Sequence, residues 1–186
     1  MLKDDLKTLL ATQYAFVIKA QFFHWNVEGP DFAQLHQFFG DIYNEVYDNS
    51  IDKTAEYIRT LDDYTPGSFE RFAELSQVPG QTRVPRARLM IEELMSDNGR
   101  VLDLLNRCFD AAESEDQQGI ANFLADRQDA HAKWAWQLRS SLGIAEVNGP
   151  GIKSGNDFGK SEVTAQSRTA KAQGKSVQHR FPAHSF

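Results

Sequence analysis

Four residues in the first third of this 186-residue chain have side chains that could together bind a metal ion. They are two histidines, His24 and His36, and two acids, Asp52 and Glu56. The acids are four residues apart, so on a helix both lie on one face. Two imidazoles and two carboxylates form a mixed nitrogen and oxygen set that suits Fe²⁺, Mn²⁺ or Zn²⁺. The alternative is that these residues bind no metal. Acid pairs of this spacing usually face solvent, and histidines near helix ends usually cap the helix or pack against neighbouring side chains.

Helical periodicity predicts the elements that position these residues. Apolar residues recur at helical spacing in four long segments, which cover about residues 2–25, 32–61, 85–112 and 120–142. No alternating pattern typical of strands competes with them. The chain is therefore predicted to be all-α, a four-helix bundle.

The connections carry their own signals. Asp31 is predicted to cap the second long helix, Pro85 to lie in the first turn of the third, and Gly143 to end the fourth. About 24 residues join the second and third helices, and they include a short helix, FERFAEL, capped by Ser68. This length predicts a crossover along the bundle. The polar stretch Glu113 to Gly119 is predicted to be a loop.

Composition divides the chain into two parts. Residues 1–143 hold 14 Lys+Arg against 23 Asp+Glu, whereas residues 144–186 hold six against three and form a polar, weakly basic extension. An acidic body disfavours nucleic acid and suits cations. No run approaches 18 apolar residues, the N-terminus has no secretory pattern, and the only cysteine, Cys108, lies in an apolar run where we expect it to be buried. We therefore expect a cytoplasmic protein without a membrane span.

Several strings resemble one family. The block from His24 to His36, H-W-N-V-x-G-P-x-F-x-x-L-H, is similar to the signature of Dps-type mini-ferritins, the DNA-binding proteins from starved cells. Asp52 and Glu56 resemble the family's D-x-x-A-E-R. The strings LDDYTPGSFERFAEL and HAKWAWQLRSSLG resemble its crossover connection and the end of its fourth helix. The resemblance covers about residues 1–143.

This resemblance implies a ferritin-like bundle, with twelve copies forming a hollow shell. It implies a ferroxidase centre between two-fold-related copies, with His24 and His36 from one copy and Asp52 and Glu56 from the other. Iron(II) would be oxidised there by peroxide or oxygen and stored as ferric mineral, with zinc or manganese as alternative metals. Trp25 would pack beside the centre; the alternative, an aromatic plug in the core, is compatible with either function. Asp41 is a further candidate near the metal.

Two departures from the family pattern bear on this site. The family spaces its second histidine and its aspartate by fifteen residues, whereas His36 and Asp52 are sixteen apart. One extra residue rotates the acids by about 100° on a regular helix. Either a π-bulge between Tyr43 and Ile51 absorbs this rotation, or the site is misaligned. The family also often has an acid one turn after the second histidine, where this chain has Gly40.

The extension leaves other functions open. Its six basic residues are spread singly. Two interpretations of the extension are therefore possible: it contacts DNA, or it is a solvated linker. Its last residues, RFPAHSF, could form a docking peptide. The alternative function is accordingly a structural protein without catalysis, which would dock on a virion or a compartment through residues 144–186.

Overall fold

The chain folds as a helical bundle in a computed structural model that describes residues 1–143. The helices are α1 (Leu2–Asn26), α2 (Phe32–Val46), a π segment (Tyr47–Ile51), α3 (Asp52–Thr60), α4 (Phe69–Leu75), α5 (Ala87–Ser114) and α6 (Gln118–Ser141). The described residues contain no strand, which confirms the all-α prediction. The predictions made for residues 144–186, including DNA contact and the docking peptide, lie outside the described part.

The four long helices bury one apolar core. Helix α1 packs against α2 and α5, and α5 packs against α6. The residues that share this core come from all four helices, and the largest fully buried ones include Phe16, Phe23, Phe39, Ile42, Ile58, Met90, Leu94 and Leu104. Cys108 is buried among them, as expected, and burial raises the pKa of its thiol to about 12. Within residues 1–143 no helix is long and apolar enough to cross a membrane.

The second long helix is interrupted by one turn of a different helix type. Helices α2 and α3 are joined by the π segment Tyr47–Ile51 with no loop between them. A π turn closes i→i+5 hydrogen bonds and so contains one residue more than an α turn. Of the two alternatives left by the sixteen-residue spacing, the π-bulge between Tyr43 and Ile51 is present, at Tyr47–Ile51.

The connection between α5 and α6 is shorter than the sequence indicated. After α5, Asp116 has a positive φ of 56°, and the N–H of Gln117 donates to the carbonyl oxygen of Ala112 at 2.8 Å. This is a Schellman closure, with aspartate in the left-handed position that glycine usually fills. The predicted loop from Glu113 to Gly119 is thus wrong in its length: α5 runs to Ser114 and α6 begins at Gln118.

The predicted caps had mixed outcomes. Ser68 caps α4 by accepting a hydrogen bond from the N–H of Arg71 at 3.2 Å, and Gly143 follows α6 with φ of 69°. Asp31 holds the N-cap position of α2, but its side chain makes no capping hydrogen bond because its backbone is not extended. Pro85 precedes the helix instead of lying in its first turn, since Arg86 is extended and α5 begins at Ala87.

The crossover brings α4 against α1. Phe72 of α4 stacks on Tyr14 of α1, with ring centroids 4.6 Å apart. The N–H of Gln77, just after α4, donates to the hydroxyl of Thr12 on α1 at 3.1 Å. Helix α4 has no fully buried residue, so it covers α1 without entering the core.

Candidate metal centre

The two predicted histidines hold each other in place. Nδ1 of His24 lies 2.6 Å from the carbonyl oxygen of His36, and Nδ1 of His36 lies 2.8 Å from the carbonyl oxygen of His24. The two rings are stacked with centroids 3.7 Å apart. The end of α1 and the start of α2 are therefore tied together by two reciprocal bonds between side chain and main chain.

These bonds fix which nitrogen of each ring can bind a metal. A carbonyl oxygen only accepts hydrogen bonds, so each Nδ1 is the donor and carries the proton. In the neutral ring the Nε2 atom then has a free lone pair, the form in which histidine ligates metals. A hydrogen bond from the other ring nitrogen to a carbonyl also orients the ring and makes the ligating nitrogen more basic.

Aromatic rings and a glycine surround this histidine pair. Phe32 stacks on His36 at 5.2 Å, and Tyr43 meets the edge of His24 at 5.3 Å. Gly40 is buried, and a Cβ atom built on it would lie 3.2 Å from Nδ1 of His24. The residue at position 40 must therefore be small for the His24 ring to keep its place. In this chain, the position at which the family often has an acid is occupied by Gly40, which makes room for the imidazole of His24.

The two predicted acids lie on another part of the surface. Asp52 and Glu56 are both exposed on α3, and neither forms a hydrogen bond or ion pair within residues 1–143. Asp52 faces α1 near Tyr14: burial raises the pKa of the Tyr14 hydroxyl, and the charges of Tyr47 and Asp52 raise it further. The acids thus lie level with the middle of α1.

One copy of the chain does not assemble a complete site. Tyr14, beside Asp52, precedes His24 by ten residues of α1, a rise of about 15 Å. Within residues 1–143 no three His, Cys, Asp or Glu side chains are placed to hold one ion. The structure brings His24 and His36 together and leaves Asp52 and Glu56 apart from them.

An apolar groove lies between these two halves. Its volume is about 690 Å³, and α1 and α4 form its walls. Its larger side chains are Tyr14, Ile18, Phe22, Trp25, Phe69 and Phe72. We call it the α1–α4 groove. Along α1 it extends from Tyr14, which lies near Asp52, to Trp25. Trp25 follows His24 in the sequence, and none of the four candidate ligands lines the groove.

The two remaining candidates are on the surface. Trp25 is 64% exposed, so within one chain it is not the core plug of the alternative interpretation. It lines the α1–α4 groove next to His24. Asp41 is exposed and accepts a hydrogen bond from the side chain of Gln37 at 2.6 Å. A role of either residue near a metal stays a prediction.

The sequence did not reveal two parts of this arrangement. The anchoring partners of the histidines are main-chain carbonyls, which have no signature in a sequence. Gly40 was visible only as a missing acid, because its contact with His24 arises from the packing of α2 on α1. The signal that could have pointed to it is the rarity of glycine inside a helix, where it costs about 1 kcal/mol relative to alanine.

Known proteins resemble the chain both in sequence and in fold. Residues 3–146 match the model of the ferritin-like domain. An uncharacterized low temperature-induced protein of Nostoc sp. is 37% identical over 135 residues, which are 72% of this chain and 75% of that protein. DNA protection during starvation protein 2 of Bacillus anthracis is 29% identical over 64% of this chain and 82% of its own length.

Solved structures agree with the sequence comparison. The Dps protein of Vibrio cholerae O1, described as a member of a broad superfamily of ferritin-like diiron-carboxylate proteins, has a TM-score of 0.72 and 26% identity over 76% of this chain and 88% of its own. Dps from Staphylococcus aureus has the same TM-score and identity, over 76% of this chain and 94% of its own. The chain therefore belongs to the ferritin-like family and is a Dps-type mini-ferritin.

Proposed function

We propose that this protein oxidises iron(II) and stores the ferric product at sites formed between two copies of the chain. The observation that carries the proposal is the pair of anchored imidazoles, His24 and His36, whose Nε2 lone pairs are available to a metal. The acids that would complete the ligand set, Asp52 and Glu56, have no partner within residues 1–143. Each copy thus supplies half of a site at each end of the α1–α4 groove.

A two-fold axis near residues 18 and 19 of α1 would join the two halves. If two α1 helices pack antiparallel about residues 18 and 19, His24 of one copy lies opposite Tyr14 and Asp52 of the other. Two-fold contacts are isologous, so the same operation builds a second, identical site. Ile18, close to this point, is 49% exposed.

The apolar surface of the groove supports this contact. Trp25 is 64% exposed and Phe69 is 80% exposed, and both line the groove with Ile18. Contiguous apolar patches of this kind usually mark an interaction site in a soluble protein. A second copy would bury them and would also exclude water from the metal ligands.

The ligand set suits iron as a substrate. Two carboxylates offset the charge of the cation, and two imidazoles add neutral nitrogen ligands. In the overall reaction two iron(II) ions lose one electron each, and one hydrogen peroxide takes up two electrons and two protons to give two waters. Oxygen is the alternative oxidant, and zinc and manganese are alternative metals. Removing peroxide in this way would protect the cell, and a shell of twelve copies would enclose the ferric mineral.

Mixing two inactive variants tests the shared site. One variant carries His24→Ala and His36→Ala, and the other carries Asp52→Ala and Glu56→Ala. Each alone should fail to form a ferric core from Fe²⁺ and peroxide. In a mixed dimer one of the two sites combines intact histidines from one copy with intact acids from the other. Random co-assembly should therefore restore about a quarter of the parental sites.

The outcomes of this experiment separate the arrangements. Recovery of activity on co-expression, but not on mixing preassembled variants, would support a site shared between copies. Inactivity of every mixture would exclude the shared site. Activity of either variant alone at the parental level would remove the two residues changed in that variant from the reaction.

Two sequence features that favour the structural alternative, docking on a larger particle without catalysis, also fit the proposed metal site. The sixteen-residue spacing is absorbed by the π segment, and Gly40 makes room for His24. What still favours it is the unusual extension at residues 144–186. Iron content of the purified particle, together with its mass, distinguishes the two functions. A cytoplasmic location, or association with a virion or compartment, stays a prediction.

DNA binding is a second candidate function, supported by the names of relatives such as the DNA protection during starvation protein of Brevibacillus brevis, 26% identical over 74% of this chain. The extension holds six basic residues against three acidic ones, whereas the body is acidic. Binding through phosphates should weaken steeply with salt. Gel retardation that falls with salt and disappears when residues 144–186 are removed would support it.

A further inference from the structure

The extra residue between His36 and Asp52 lies in the π segment, and a buried polar cluster holds that segment in place. Nε2 of Gln13, on α1, donates to the hydroxyl of Ser50 in the π segment at 2.6 Å. The hydroxyl of Thr54 donates to the carbonyl oxygen of Ser50 at 2.7 Å. We call these three residues the Gln13 cluster.

The members of the Gln13 cluster depend on each other because water does not reach them. Gln13 and Thr54 are 0% exposed and Ser50 is 1% exposed. A buried polar group that loses its partner costs about 1–3 kcal/mol. The bond to the Ser50 carbonyl also gives a partner to a main-chain oxygen in the irregular turn, where the α-helical pattern of hydrogen bonds changes.

Because these three residues depend on each other, they favour one rotation of α3 relative to α2. In a regular α-helix through the same residues, everything after the π segment would be rotated by about 100° relative to α2. If the rotation fell before Ser50, its hydroxyl would turn away from Gln13 and both polar groups would be unpaired. If it fell after Ser50, the hydroxyl of Thr54 would turn away from the side-chain oxygen of Gln13, to which it donates at 3.4 Å. The same rotation would carry Asp52 and Glu56 off their present face of α3.

We propose that Gln13 is a positioning residue for the metal site: by bonding to Ser50 it holds the π segment whose extra residue directs Asp52 and Glu56 toward the histidines of a second copy. This inference rests on the proposed function. Gln13 itself lies in the core and touches no metal ligand. It acts through the helix register, at the position where this chain departs from the fifteen-residue spacing of its family.

The first test replaces the amide and measures metal binding without turnover. Gln13→Leu keeps the volume of the side chain and leaves the Ser50 hydroxyl without its donor. Calorimetric titration with Zn²⁺ should show affinity reduced about 10- to 100-fold, the range for residues that support ligands. Ser50→Ala, a smaller change, should lower the affinity in the same direction and serves if Gln13→Leu does not fold.

Thr12→Val is the matched control. Thr12 is the neighbouring residue on α1 and is also fully buried, but its hydroxyl bonds to the carbonyl oxygen of Thr8 and to the N–H of Gln77, away from the π segment. The Thr12→Val substitution should lower the thermal stability of the protein and leave its Zn²⁺ affinity unchanged. Hydrogen exchange in a peptide covering Tyr47–Ile51 should rise in Gln13→Leu and not in Thr12→Val.

A deletion provides the decisive comparison. Removing Asn49, which is exposed in the π segment, restores the fifteen-residue spacing and converts the turn to a regular one. In that background Gln13→Leu should no longer change Zn²⁺ affinity, because the register needs no selection. An equal loss of affinity in both backgrounds, or no loss in the parent, would overturn the inference and leave the proposed function intact. A parent that neither binds Zn²⁺ nor oxidises iron(II) would overturn both.

Discussion

The two halves of the candidate metal centre are built in different ways. The histidine half is complete within one chain. Each imidazole donates a hydrogen bond to the carbonyl oxygen of the other histidine, and Gly40 makes room for the ring of His24. The acid half is open, because Asp52 and Glu56 are exposed and unpaired within residues 1–143 and their direction depends on a turn held from α1. One half is fixed by local packing, whereas the other needs a long-range contact and a second copy.

The largest effect is expected from separating the two copies. Ile18→Asp places a charge at the middle of the α1–α4 groove, where a second copy would bury it without a partner. The dimer contact should fail, so particle mass should fall below that of the parent and iron oxidation should be lost. Ile18→Val, which keeps the surface apolar, should assemble and react as the parent does. An Ile18→Asp particle of parental mass, measured by light scattering, would place the contact elsewhere.

A change confined to the acid half should separate binding from stability. Asp52→Asn with Glu56→Gln removes both charges and little volume, so Zn²⁺ affinity should fall by at least about 100-fold. The acids are exposed and unpaired, so the free energy of unfolding should change by no more than about 0.5 kcal/mol per residue. Parental affinity in calorimetry would show that these carboxylates are not ligands.

A third histidine, His131, shows what burial does to an imidazole that is not at the centre. Its Nδ1 lies 2.7 Å from the side-chain oxygen of Asn98, and burial, followed by the charge of Arg127, lowers its pKa to about 3. The unfolded chain takes up this proton below about pH 6.5, so stability contributed by the neutral ring is present above that pH and is lost as pH falls toward 3. The loss should be roughly 1.4 kcal/mol per pH unit.

His131→Gln checks this linkage, since it removes the titrating group. Urea unfolding of parent and variant at pH 7, 6 and 5, at one protein concentration, should show the variant losing less stability toward acid. Identical slopes for the two proteins would mean that the imidazole does not control this dependence.

The smallest effect should come from closing the space beside His24. Gly40→Ala puts a methyl group 3.2 Å from Nδ1 of that ring, which must shift by a few tenths of an ångström. We expect Zn²⁺ affinity to fall about tenfold, at the lower end for supporting groups. Gly99→Ala on α5, where a Cβ atom meets nothing within 4 Å, is the control. It should add about 1 kcal/mol of stability and leave affinity unchanged.

Much of the fold could be predicted from periodicity, since helices with one apolar face must bury it. The bounds of α1 and the Ser68 cap of α4 agree closely with the predictions. The connection after α5 did not, because Asp116 adopts a left-handed conformation that patterns assign to glycine. Pro85 and Asp31 differ from their predicted roles for a related reason: the backbone at a helix start depends on how the preceding chain approaches it.

The order of residues specifies which side chains are available and which helices carry them. It also fixed the count of residues between His36 and Asp52, and from that count the need for a π turn or a misaligned site. The folded chain shows that the π turn is present, that each histidine bonds to the other's carbonyl oxygen, and that Gly40 lies against His24. These contacts join residues on different elements, and their geometry follows from packing of α1 against α2, which spacing along one chain does not specify.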